Sequence, residues 1–254
     1  MNRIASSVVS QVRHQNRVFW RNPLAAGFTV ALPLMFLVLF NLIFGEGSEE
    51  PDFSQFFTPS IAVFAAVSAT FTNLAIGTGL AREQGILKRV RGTPLPPLVY
   101  MAGRVGSGVW IATISAVIMI AVGAVFYDFH IVWENLPIAV LTFAAGIACF
   151  AALGLALVAL VRRGDAVPAV ANAFILPLAF VSGIFVATEN LPPWLADAAS
   201  LFPLRHFAEL FGRSFDPDLV GPVLGWGHLG ALLLWTAVAG AVALRWFSWD
   251  PSES

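Results

Sequence analysis

The chain's one lysine, Lys88, stands in the context GILKR. Nucleotide chemistry would have to begin at a lysine, because a phosphate-cradling loop of the form GxxxxGK[ST] uses that side chain to reach the phosphates. GILKR does not fit the pattern, so this chain is not by itself a P-loop ATPase. If ATP drives it, a separate subunit must bind the nucleotide. The four histidines, His14, His130, His206 and His228, are scattered through unlike contexts with no HExxH or similar pairing for a metal, so structural or interfacial roles are expected of them. A single cysteine, Cys149, lies in an apolar run and excludes an intramolecular disulfide and a cysteine-cluster metal site. The serines and aspartates form no nucleophile motif. No catalytic residue, metal site or bound cofactor is expected.

Two sets of polar residues remain. The first is neutral and set among apolar residues: Ser68, Thr70, Thr72 and Asn73, then Asn172, then Thr236. Such groups mostly form interhelical hydrogen bonds worth about 1 kcal/mol or less, and a substrate contact is the lesser alternative. The second is the stretch Arg82 to Pro97, REQGILKRVRGTPLPP, with four cations and three prolines. Ile86, Leu87 and Val90 can share one helical face while Arg82, Lys88, Arg89 and Arg91 splay toward water, which predicts a short amphipathic helix. Pro94, Pro96 and Pro97 then stop it and stiffen the return.

The elements that position these residues are membrane spans. Of 254 residues 58% are hydrophobic and 11% charged, with a mean hydropathy of +0.79; a soluble domain has about a quarter charged. Crossing hydrocarbon takes roughly 20 mostly apolar residues in a helix, since no water is there to satisfy the backbone. Six segments qualify: Leu24 to Phe44, Thr58 to Leu80, Arg104 to Phe126, Leu136 to Val161, Ala166 to Ala187 and Pro222 to Trp246. None has Asp, Glu, Lys or Arg near its middle, whereas ion-coupled pumps usually keep an ionisable relay there. The row Ala144, Ala148, Ala152, Ala156 predicts close helix approach along the fourth. No internal repeat divides the spans into matching halves, which argues against an inverted-repeat carrier.

Charge sorts these spans by side. Twelve of the 14 cations fall before span one, between spans two and three, between four and five, or at the end of six. The opposite loops carry Glu46, Glu49, Glu50, Asp52, Asp128, Glu134, Glu189, Asp197, Glu209, Asp216 and Asp218, with only Arg205 and Arg213 as cations. Short basic loops stay cytoplasmic, so both termini are expected there. Span one reads as an uncleaved anchor, because its basic leader is long and no small-residue cleavage pattern follows Phe44. Residues 3 to 21 predict an amphipathic helix, with Arg3, Ser6, Ser10, Arg13, Arg17 and Arg21 on one face and Val8, Val12 and Phe19 opposite. Two roles stay open for it: a topology signal anchored to anionic lipid, or a surface that meets a cytoplasmic partner.

Charge alone would leave the Arg82 stretch an ordinary positive-inside loop, but its residue order goes further. Arg82-Glu83-x-Gly85-x-Leu87, followed by Arg91-x-Thr93-Pro94-Leu95, resembles the signature of the membrane subunits of type-2 ABC exporters, the family that includes daunorubicin-resistance permeases. Ser182-Gly183-Ile184-Phe185, then Leu191-Pro192-x-Trp194-Leu195, then Phe202-Pro203-Leu204 and Arg213 resemble that family's fifth-span exit and its short outer helices. The chain departs from the pattern at Ile86, where threonine is usual, at Lys88, where an acid is usual, and at Val186, where proline is common. These departures bear on which ATPase it accepts.

The resemblance implies an all-α membrane protein. Residues 1–23 would be a cytoplasmic interfacial helix bearing Arg13, Arg17 and Arg21, residues 24–248 a six-span unit, and 249–254 a short tail. A coupling helix would follow span two, and re-entrant helices would lie between spans five and six. It implies coupling to an ATPase through Arg82, Glu83, Gly85, Leu87, Arg89, Arg91, Thr93 and Pro94. ATP and Mg2+ would be held by two cytoplasmic ATPase subunits, with a second copy or a related permease as the other partner, membrane lipid around the spans, and no nucleic acid. The location implied is a bacterial inner membrane. Spans two and five would line a pathway, with Phe71, Asn73, Asn172 and Phe180 as candidates, for an amphipathic drug, lipid or glycolipid. The alternative is an ion-coupled carrier or channel, which would work without ATP or partner.

Overall fold

The computed structural model describes residues 2–45, 53–185, 192–219 and 221–249, and these are helical with no strand among them. Glu46, Glu49, Glu50, Asp52, Val186, Ala187, Glu189, Leu191 and residues 250–254 of the expected tail lie outside the described residues. Among the described residues eleven α-helices follow one another: α1 (Asn2–Trp20), α2 (Pro23–Phe44), α3 (Phe53–Val67), α4 (Asn73–Glu83), α5 (Ile86–Arg91), α6 (Pro97–Phe126), α7 (Leu136–Leu160), α8 (Val167–Val181), α9 (Pro193–Ala199), α10 (Pro203–Arg213) and α11 (Trp226–Trp246). A π turn, Ser68–Thr72, joins α3 to α4 within one continuous helical run.

Among the described residues five stretches have the length and apolarity to cross a membrane: Ala26–Phe44, Phe53–Glu83, Pro97–Phe126, Trp133–Leu160 and Trp226–Trp246. The fifth segment read from the sequence, Ala166 to Ala187, yields only α8, about 22 Å at 1.5 Å per residue against roughly 30 Å of hydrocarbon. The apolar pattern runs on, but α8 ends at Val181 because Gly183 takes a left-handed φ of 83° two residues later. Prolines act differently from expectation before α6. Pro97 occupies its first turn, where a missing N–H is harmless, so the helix starts well before Arg104.

Packing centres on α3, in which every residue from Phe57 to Val67 is buried. It contacts α2, α6, α7 and α10. Glycines let two helices close on the π turn: a Cβ on Gly154 of α7 would sit 3.0 Å from the Phe71 carbonyl oxygen, and one on Gly108 of α6 would sit 3.5 Å from that of Ala69. The small-residue row on α7 serves α11 in its lower part only. Ala156 packs with Ala239 and Ala243 and has Ala152 beside it, whereas Ala144 and Ala148 are exposed. Around the outside, Phe28, Met35, Val117, Val125, Val140, Leu234 and Leu244 are exposed, as lipid-facing residues would be.

On the side of the Asp128 loop, α10 buries Leu204, Phe207, Ala208, Leu210 and Phe211 against α3, α7 and α11. Phe207 fills the space where Gly146 lacks a side chain, roughly 15 Å along α7 from Leu136. Gln55 ties this end together: its Nε2 donates to the carbonyls of His130 and Phe215, and its Oε1 accepts from the His130 N–H at 2.9 Å.

The helix expected at residues 3 to 21 is α1, and its face with Gln11, Val12 and Asn16 is seated on α6. A Cβ on Gly103 would lie 2.5 Å from that of Gln11, one on Gly106 would lie 2.7 Å from Val12, and Ser107 bonds Asn16 Oδ1 at 2.5 Å. Gly103→Val should therefore lift α1 from this seat. Tryptic cleavage at Arg13 and Arg17 in open membrane fragments should quicken, and unchanged cleavage would show that the seat does not hold the helix.

Candidate functional site

The Arg82 to Pro97 stretch is a corner built on one glycine and one leucine. Gly85 adopts a φ of 68°, a left-handed conformation that costs a side-chain-bearing residue roughly 1–2 kcal/mol and lets α4 stop and α5 start after a two-residue break. The Gly85 N–H bonds the Arg82 carbonyl at 2.9 Å and the Gly85 carbonyl accepts from Arg89 at 3.1 Å, so no backbone group is wasted. Leu87 is fully buried with Ala81 and Tyr100, and Val90, Leu95, Met101, Phe247 and Trp249 close round it. The Thr93 hydroxyl donates to the Val90 carbonyl at 2.7 Å, finishing α5 where Pro94 forbids continuation.

What faces outward is Ile86, Lys88, Arg89, Arg91, Thr93 and Pro94, all exposed. Arg89 bonds the Gln84 carbonyl at 3.0 Å. Arg82 departs from the expected arrangement. The amphipathic pattern puts it in water, yet it is 1% exposed. Its guanidinium donates to the carbonyls of Val158 at 2.7 Å, Val161 at 2.5 Å and Arg162 at 2.9 Å, at the end of α7. Its neighbour Glu83 accepts from the Gly164 N–H at 3.1 Å. Arg82 thus turns inward, and Glu83, itself exposed, reaches across to the turn after α7, while Ile86, Lys88, Arg89 and Arg91 face out.

Arg13 and Arg17 lie on the exposed face of α1, opposite its seat on α6, and Arg21, also exposed, directly follows the helix. The four candidate lining residues separate. Phe71 is 2% exposed, its ring between Phe150 and Phe174, so within one chain it faces protein rather than open space. Asn73 donates to the Thr29 hydroxyl of α2 at 2.8 Å. Asn172 and Phe180 are exposed and share a face of α8 with Leu176.

A family model for the ABC-2 type transporter matches residues 7–214, from α1 through the end of α10. The chain belongs to the ABC-2 type transporter family. Among curated relatives it is 24% identical over 196 residues to the "Probable multidrug ABC transporter permease YbhR" of Escherichia coli (strain K12), covering 77% of this chain and 53% of that one. The chain thus spans about half the length of that relative. It is 24% identical over 194 residues to the "Inner membrane transport permease YadH" of the same organism, covering 74% and 75%. It is 26% identical over 226 residues to the "Daunorubicin resistance ABC transporter permease protein DrrB1" of Streptomyces coeruleorubidus, covering 85% and 74%.

Two groups in this ABC-2 chain had no signal in the sequence. One is the set of carbonyls at 158, 161 and 162 that receive Arg82. The other is a histidine pair: contrary to the scattered reading, Nδ1 of His206 on α10 lies 2.8 Å from Nδ1 of His228 in the first turn of α11. One ring must donate and the other accept, so the bond cannot exist with both rings protonated. Among the described residues no group of three or more His, Cys, Asp or Glu is placed to share a metal ion. Burial first, and then the charge of His228, push His206 below the ordinary histidine value; Arg205 pushes the same way, and the Ser200 backbone and Glu209 oppose it.

A folded-state value below the unfolded one means the fold favours the neutral ring. That stability is complete above about pH 6.5 and drains away as pH falls below it. The melting temperature of the purified protein should drop between neutral and mildly acidic pH, and less so in His206→Gln; equal slopes would refute the link. At the corner, Leu87→Ala should destabilise by about 2–5 kcal/mol, whereas Lys88→Ala should stay within about 0.5 kcal/mol. Thermal unfolding in detergent distinguishes the two.

Proposed function

We propose that this chain is the membrane subunit of an ATP-driven exporter, in which α5 takes the push of a separate ATPase. Two cytoplasmic ATPase subunits would bind ATP and Mg2+, and this chain is assigned no nucleotide ligand. A second copy or a related permease completes the complex, in a bacterial inner membrane with both termini cytoplasmic. α8 is counted as the fifth of six spans. The named permease relatives support the class.

The observation that carries the docking role is α5 itself: a six-residue helix anchored by Leu87, fixed between α4 and α6, and presenting Lys88, Arg89 and Arg91 outward. A rigid cationic tip can transmit a push, and its charges steer an acidic partner onto it. The exposed cations of α1 lie on the same side and extend that surface. On this reading the α8 face with Asn172 and Phe180 lines the pathway, Phe71 stands behind it through Phe174, and Asn73 holds α4 to α2. An apolar wall with few neutral polar groups suits an amphipathic drug, lipid or glycolipid.

The test is the triple variant Lys88→Glu, Arg89→Glu, Arg91→Glu, expressed with its ATPase. It should insert normally yet recover about tenfold less ATPase on copurification, a change of ~1.4 kcal/mol. Recovery at the wild-type level would sink the docking role. Export by purified protein without ATP or any partner would favour the ion-coupled carrier instead.

A further inference from the structure

We infer that Arg82 and Glu83 are positioning residues that latch α5 to the turn between α7 and α8, so that the end of span four and the start of span five follow α5 as one body. This rests on the reading that α5 receives the ATPase's push. It assigns the Arg-Glu pair to a contact within the chain rather than to the docking surface.

The last carbonyls of α7 have no partner in their own helix and form the negative end of its dipole. Arg82 spreads three donor bonds over the carbonyl of Val158 in the last turn of α7 and those of Val161 and Arg162 just after it, so one planar cation ties the helix end to the turn that follows. Lysine, a point charge on a flexible stem, lacks that fork. Next along the turn, Glu83 holds the Gly164 N–H. Between these anchors the two backbones touch. A Cβ on Gly164 would sit 2.3 Å from the Gly79 carbonyl oxygen and 2.9 Å from the Glu83 Cβ, and one on Gly79 would meet Val167 at 2.8 Å. No side chain lies between them to absorb a displacement.

The contact continues into α8. Val167, its first residue, is fully buried with Ala75 of α4 and Val158 of α7, and Phe247 packs against both this cluster and the one round Leu87. On the other side, only Gln84 and Gly85 separate Glu83 from α5. Above the joint the route through span two is interrupted by the π turn, where the regular hydrogen-bond ladder changes register. A push on α5 therefore finds its stiffest path sideways, through Arg82 and Glu83, into α7 and α8.

The experiment uses the full chain in nanodiscs with its ATPase, in a Cys149→Ala background. Spin labels are placed at two exposed positions that are neither the Arg82-Glu83 pair nor the cationic tip, Gly92→Cys after α5 and Asp165→Cys in the turn before α8. In the wild type the distance distribution should be narrow and the same with and without ATP. In Arg82→Met and in Glu83→Ala it should broaden and shift on ATP addition while the ATPase still copurifies. Glu83→Gln keeps an oxygen for the Gly164 N–H and should behave as wild type. A purely structural loss would not spare assembly and selectively move this distance.

A wild-type distribution that shifts with ATP overturns the latch, even if Arg82→Met fails to insert. So does an Arg82→Met protein that keeps the wild-type distribution. If no ATPase copurifies with the wild type, the functional reading fails instead, and the nucleotide-free distributions of wild type and Glu83→Ala still decide whether the latch holds.

Discussion

A carbonyl oxygen inside hydrocarbon has no water to fall back on, and much of this chain's local structure answers that demand. Where a helix must end or change its winding, a donor is brought to the loosened oxygens or another helix is pressed against them. Arg82 does the first for the end of α7. Gly108 and Gly154 do the second at the π turn, where backbone is brought against backbone. Within the spans, Asn41, Ser60, Thr70, Thr113 and Thr236 turn their side chains back on the carbonyl four residues earlier, so their polarity is spent inside their own helices.

Those choices separate what was legible in the sequence from what was not. Apolar length and the sorting of cations were enough to mark the long helices, because both are local quantities. The α5 corner was legible too, since Leu87 is apolar beside cations and Gly85 sits where the chain must reverse. The inward turn of Arg82 was not. Amphipathic reasoning treats a cation at the end of an apolar run as a water-seeking group, and the acceptors that change this lie 76 to 80 residues further on. Likewise 22 residues separate His206 from His228, and only the packing of α10 on α11 brings them together.

Other differences share that cause. Phe71 is a lining candidate in the sequence, and within one chain α7 and α8 supply rings on both sides of it. The apolar continuation past Val181 promised more helix than the backbone at Gly183 permits. The apolar face of α1 was visible, whereas its seat depends on three small residues of α6, Gly103, Gly106 and Ser107, whose helical spacing marks a close approach but not which helix makes it.

The seat of α10 has a consequence for how the molecule is made. Its Phe207 fills a notch at Gly146 and meets Phe150, whose ring touches Phe71 at the π turn. α3 and α7 leave the ribosome before α10, since synthesis runs from the N-terminus. Until α10 arrives the notch stands open and Phe150 lacks one of its neighbours. The bundle is thus unfinished at its centre through most of translation, and a late, strongly amphipathic segment acts as the keystone set after the walls are up.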